Sequence, residues 1–123
     1  GLGGLETAAL IATTEVVLVM SPEYFSLDGL TTWANAVGHI ERNHRLSINR
    51  GRLIINGVNR TIGQMVEVSE AASKAARKVY TISTDPVFRK AQSEHLPAQR
   101  YETAPMKPEN RAMLKKLVRE VMK

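Results

Sequence analysis

Residues 79–91 read VYTISTDPVFRKA and hold one complete strand–loop–helix unit. Val79 to Ile82 is a short run of strand-forming residues. Asp85 stands before Pro86, an order that predicts a short helix capped by Asp85. Pro86 takes its first position, where a missing N–H costs nothing. Upstream, Leu53, Ile54 and Ile55 make a second apolar strand that ends near Asn56-Gly57. Further upstream, Val16, Val17, Leu18, Val19 and Met20 form a continuous apolar run rich in β-branched residues. Such a run suits a strand buried on both faces.

Helical stripes lie between these runs. Leu30, Trp33, Val37 and Ile40 recur at three- and four-residue steps, and so share one helical face. Ile62, Met65, Val68 and Ala72 do the same. Downstream, Arg100 to Thr103 reads as a weak edge strand. Pro108 then opens a last helix, in which Leu114, Leu117, Val118 and Val121 share a face. The alternation predicts an α/β fold, with a mostly parallel sheet of about four strands and four or five flanking helices. There is no internal repeat, and the whole chain, residues 1–123, is expected to form a single domain.

Composition narrows the function. The chain has 123 residues, 43% of them hydrophobic and 24% charged, as in ordinary globular domains. No apolar run approaches the roughly 20 residues that span a bilayer. The first residues lack a basic region ahead of an apolar core, so no secretory signal is expected. Cysteine is absent, which excludes disulfides, thiolate nucleophiles and cysteine metal sites, and fits a cytoplasmic protein. The net charge of +5 suits an anionic partner such as nucleic acid, nucleotide or acidic lipid. The opening Gly1 to Leu5, GLGGL, reads as a cut inside a larger protein, with an expression scar as the alternative.

In open parallel sheets, ligands bind outside the carboxyl ends of the strands. Those ends carry Ser21, Pro22 and Glu23, then Asn56 and Gly57, then Ser83, Thr84 and Asp85. On the residues alone, turns and caps account for these polar groups. His39 and His44 are five residues apart on a predicted helix and make a poor metal pair; His95 stands alone. No metal site and no nucleophile–base–carboxylate arrangement is expected. The five methionines are scattered and suit core packing.

The stretch GLGGLETAALIATTEVVLVMSPEYFSLDGL (residues 1–30) resembles the ParA/MinD family of deviant-Walker P-loop ATPases. In that family a glycine-rich switch follows the Walker B aspartate. A short helix and an apolar strand ending in a Pro-Glu loop come next. The likeness continues in RLIINGVNR (residues 52–60), in Thr81 to Pro97, and in the last helix, ENRAMLKKLVREVM (residues 109–122). It covers nearly the whole chain and implies the carboxy-terminal half of that nucleotide-binding fold. By the resemblance, Gly1, Gly3 and Gly4 belong to the switch that senses the γ-phosphate, and Glu23 lies near a nucleotide-dependent dimer interface. Asn56 bonds the adenine edge, and Ser83, Thr84 and Asp85 form the loop against the base. The family commonly has proline where Ser83 stands.

The phosphate-binding loop of that family pairs glycines with a lysine, and this sequence contains no Gly-Lys pair. ATP and magnesium are therefore expected in the intact family fold, without firm retention or hydrolysis by this chain alone. The resemblance implies a role in DNA partitioning or cell-division positioning. A non-catalytic interaction or dimerisation module is the alternative. A metal-loading maturation ATPase is disfavoured by the missing cysteines. Basic residues cluster as Arg111, Lys115, Arg119 and Lys123 on the last helix, as Lys74, Arg77 and Lys78, and as Arg89 and Lys90. Singly they are solvated charge; together they permit nonspecific DNA binding through phosphates. The last helix, amphipathic and basic, also has the character of a membrane-surface helix, although packing on the sheet accounts for its apolar face. In the family fold Val16 to Met20 neighbours the P-loop strand. Without that strand it becomes an apolar edge, and pairing with a second copy, binding to the missing half, or folding of the Leu2–Ala12 segment over the gap is expected.

Overall fold

The computed structural model describes residues 3–22, 27–98 and 106–122. The chain runs α1 (Gly4–Ala12), β1 (Val17–Met20), α2 (Leu27–His44), β2 (Arg52–Val58), α3 (Gly63–Ala75), β3 (Lys78–Ser83), α4 (Pro86–Glu94) and α5 (Pro108–Val121). The three strands form one sheet in the order β1-β2-β3, and both pairings are parallel. The fold is therefore the α/β architecture that the alternation predicts. The expected fourth strand, Arg100 to Thr103, lies outside the described residues. Among the described residues, no helix is long and apolar enough to cross a membrane.

Side chains alternate across the strands, so each strand supplies both faces of the sheet. Leu18 and Met20, with Leu53 and Ile55 beside them in register, form one face. They pack with Ala72, Val68 and Leu30 beneath α2 and α3. Strand β2 runs further than its three isoleucine and leucine residues suggest. Its pairing with β3 passes from Asn56↔Ile82 to Val58↔Ser83, so Gly57 is an extra residue on β2. Gly57 has φ +74°, a left-handed conformation that favours glycine. The irregularity returns Val58 to the core face, where it is fully buried. A second small core joins Val37, Ile40 and Ile48 to Trp33 of α2 and Leu10 of α1.

The opposite face carries Val17, Val19, Arg52, Ile54, Asn56, Lys78, Tyr80 and Ile82, and α5 packs on it at β3. At the amino ends of the strands this face is polar. Arg52 Nε donates to Glu15 Oε2 at 3.1 Å, and Arg52 Nη1 donates to the Tyr80 hydroxyl at 2.7 Å. That hydroxyl donates in turn to Glu120 Oε2 in the last turns of α5. Lys78 Nζ lies 3.3 Å from Glu120 Oε1. Burial pushes the Tyr80 phenol up, and its bond to Glu120 pushes it the same way. The Tyr80 hydroxyl and Lys78 hold the Glu120 carboxyl below its ordinary range, against its own desolvation. Glu41 closes the loop before β2 in a similar way, accepting from the Ile48 N–H and from Arg50, each at 2.8 Å.

A carboxyl whose folded pKa is depressed adds stability above its unfolded pKa and loses it as pH falls through the folded value. Wild-type protein should therefore lose stability from about pH 5 down to about pH 3, and Glu120→Gln should flatten part of that loss. Urea unfolding at several pH values checks this. Parallel pH curves for the two proteins would show that Glu120 has no part in it.

Candidate functional site

The carboxyl ends of the strands open onto a cleft of about 1050 Å³. Its floor is the uncovered part of the second sheet face, Val19 and Ile54, with Ile82 of β3, Phe88 of α4 and Leu114 of α5. Its rim is Asn56, Gly57 and the loop Ser83–Thr84–Asp85, and Arg89, Lys90 and Lys107 add positive charge to its walls. The four residues expected to meet a nucleotide base, Asn56, Ser83, Thr84 and Asp85, thus stand together at one opening. Asn56 is exposed, and its side chain makes no hydrogen bond among the described residues.

The rim loop is held from both sides. From the β2 side, the Val58 carbonyl accepts from the Thr84 N–H at 3.0 Å, and Arg60 Nε donates to Ser83 Oγ at 3.1 Å. From the α5 side, Lys107 Nζ donates to the Thr84 carbonyl at 2.6 Å. Asp85 is the cap that the sequence predicts for α4, accepting from the Val87 N–H at 3.2 Å through Oδ1. Its other oxygen accepts from the Lys107 N–H at 2.8 Å and from Asn110 Nδ2 at 3.2 Å. Burial pushes the Asp85 carboxyl up, but these donors outweigh burial and hold it below the usual range. Both of its oxygens are thus committed within the chain.

The remaining candidates lie elsewhere. Gly3 precedes α1 and Gly4 begins it; both are exposed and neither lines the cleft. Gly1, Glu23 and Lys123 lie outside the described residues. Arg111, Lys115 and Arg119 line a groove of about 300 Å³ with Met106 and Val118, separated from the cleft by Leu114, which lines both. Among the described residues, none of the three makes an ion pair. The second basic cluster is divided. Lys74 lines a small groove beside α3, Arg77 lies over Gly51, and Lys78 is engaged by Glu120. His39 bonds Asn43 at 3.0 Å, and His95 takes the left-handed cap of α4 with φ 57°.

Asn110 and Lys107 belong to the site although sequence reasoning passed over them. Asn110 did carry a signal. It stands four residues before Leu114 and seven before Leu117, so a polar residue sits on the inward stripe of α5. Lys107, just before Pro108, carried none.

The resemblance implies ATP with magnesium, and the described residues suit its two ends differently. A flat base matches an apolar floor and a free amide, since Asn can bond the N6 and N7 positions of adenine together. For the metal, no group of three His, Asp or Glu side chains among the described residues is arranged to hold an ion. No family model matches this sequence, and no curated protein or solved structure matches it either.

Asp85→Ala removes a helix cap and leaves the Lys107 N–H and the Asn110 amide without an acceptor. It should destabilise the protein by about 1–3 kcal/mol. Denaturant unfolding checks this, and a loss below about 0.5 kcal/mol would mean that water replaces the carboxylate without cost.

Proposed function

We propose that this chain is the carboxy-terminal part of a ParA/MinD-like nucleotide-binding domain, cytoplasmic, and that its cleft takes the adenine end of ATP. One observation carries the reading. Among the described residues, the Asn56 amide has no partner, and it stands at the mouth of an apolar cleft, at the carboxyl rim of a parallel sheet. The parallel order β1-β2-β3 and the loop–helix geometry after β3 support it as well. The base is adenine rather than guanine for a chemical reason. Guanine offers two adjacent N–H donors on its pairing edge, N1–H and N2–H, which a carboxylate accepts together where a single amide oxygen does not. Among the described residues, the one carboxylate lining the cleft, Asp85, is occupied by the chain's own donors. Phosphates and magnesium would be held by a phosphate-binding loop that this sequence does not contain, so the chain by itself is a base-binding part and not a catalyst. In the intact protein the role is DNA partitioning or cell-division positioning, with α5 as a nonspecific contact to duplex phosphates.

A second reading, an interaction or dimerisation module derived from the same fold, is favoured by β1. Among the described residues β1 pairs with β2 alone, so its outer edge carries no strand there. An apolar edge of this kind invites another strand, from a second copy or from the rest of a larger fold.

Adenine nucleotides should shift the NMR signals of Asn56 and the rim loop, with GTP binding more weakly, and Asn56→Ala should weaken ATP by about tenfold. Equal affinities for ATP and GTP, or an unaffected Asn56→Ala variant, would exclude this use of the cleft. For DNA, weak duplex binding should fall steeply with salt. Replacing Arg111, Lys115 and Arg119 with Ala should shallow the log–log slope by about one for each lost phosphate contact. An unchanged slope would remove this face from the interface. For the second reading, light scattering should find more than a monomer, with slow hydrogen exchange at residues 17–20. A monodisperse monomer with freely exchanging amides there would count against it.

A further inference from the structure

Asn110 does not line the cleft, yet it holds the cleft's rim. The residue is 1% exposed in the first turn of α5. Asn110 Oδ1 accepts from the Ser83 N–H at 2.9 Å, and Asn110 Nδ2 donates to the Ser83 carbonyl at 3.0 Å. One acceptor and one donor facing a single residue is what a neighbouring strand offers. The amide of α5 thus continues the sheet's pairing at the last residue of β3. Asn110 Nδ2 also reaches Asp85 Oδ2 at 3.2 Å, two residues along the same loop.

We infer that Asn110 is the positioning residue of the Ser83–Asp85 loop, so that the shape of the cleft's rim is set by α5 through one buried amide. The pairing is reciprocal. Ser83 brings a buried N–H that needs an acceptor, and Asn110 brings a buried amide that needs partners. Removing Asn110 alone orphans the N–H. Changing Ser83 to proline removes the N–H itself, and the acceptor is then no longer required. The consequence for ligands rests on the proposed adenine reading; the consequence for the loop does not.

A cycle of Asn110→Ala, Ser83→Pro and the double variant tests this, read by unfolding and by ATP titration. Asn110→Ala should lower the folding constant by about ten- to a hundredfold in the wild-type background, and by less than about threefold where residue 83 is proline. ATP affinity should fall at least about tenfold in Asn110→Ala although the residue is outside the cleft. The Ser83 amide should exchange slowly in the unaltered chain. Equal costs in the two backgrounds, or rapid exchange at Ser83, would overturn the inference. If Asn110→Ala does not fold, comparing Ser83→Pro with the double variant decides: similar stability supports the pairing, and a large difference overturns it. If unaltered protein binds no adenine nucleotide while the stability cycle is non-additive, the functional reading fails and the positioning role of Asn110 stands. If it binds and Asn110→Ala binds equally well, the functional reading stands and positioning of the ligand is refuted.

Discussion

Among the described residues, β2 is the one strand paired on both sides, and the rest of the structure is arranged along it. Its first residue, Arg52, reaches Glu15 ahead of β1 and Tyr80 of β3. Its middle residues, Leu53 and Ile55, are buried beneath α2 and α3. Its last turn changes register at Gly57, which buries Val58 on one face and leaves Asn56 at the cleft on the other. Anchor, core and candidate ligand contact therefore follow one another on a single strand. A shift of one residue in its pairing would exchange the faces and dismantle all three.

The two ends of the sheet are treated differently. At the amino ends, charged groups answer one another: Glu15, Arg52, Tyr80, Lys78 and Glu120 form a continuous network across four segments of the chain. At the carboxyl ends, the loop after β3 is satisfied by Asn110 and Lys107 of the α5 region, whereas among the described residues the Asn56 side chain has no hydrogen-bond partner. Among the described residues, no buried side-chain nitrogen or oxygen lacks a partner. Burying a polar group without one is costly, so the closed amino rim holds the layers in place. Among the described residues, that asymmetry, more than the basic charge, marks the carboxyl rim as the candidate site.

Helix α5 serves both rims. Its first turn supplies Asn110 to the loop after β3, and its last turns supply Glu120 to Tyr80. Between them, Leu114 separates the cleft from the groove that carries Arg111, Lys115 and Arg119. The candidate base site and the candidate phosphate contacts thus lie on two sides of one helix tied down at both ends.

The strand and helix order was readable because it rests on local rules. Apolar runs, three- and four-residue stripes and the prolines at 86 and 108 act within a few residues of chain, and Asp85 caps the helix that its position before Pro86 predicts. The meeting of Asn56 with Ser83–Asp85 followed from strand ends sharing one rim. Other features depend on partners far apart in the chain. Asn110 meets Ser83 across 27 residues and Tyr80 meets Glu120 across 40, and neither residue's surroundings in the chain name its partner. The basic residues make the same point. In sequence Lys74, Arg77 and Lys78 form one cluster; in the fold Lys78 faces Glu120, and Arg77 covers Gly51. The sequence by itself determined the three strands β1 to β3 and the helices α2 to α5, and which polar groups follow β2 and β3, because steric and periodic preferences are local. Only the tertiary structure decided which of those polar groups remain free, since a donor or acceptor is satisfied by whatever the packing brings within hydrogen-bonding reach.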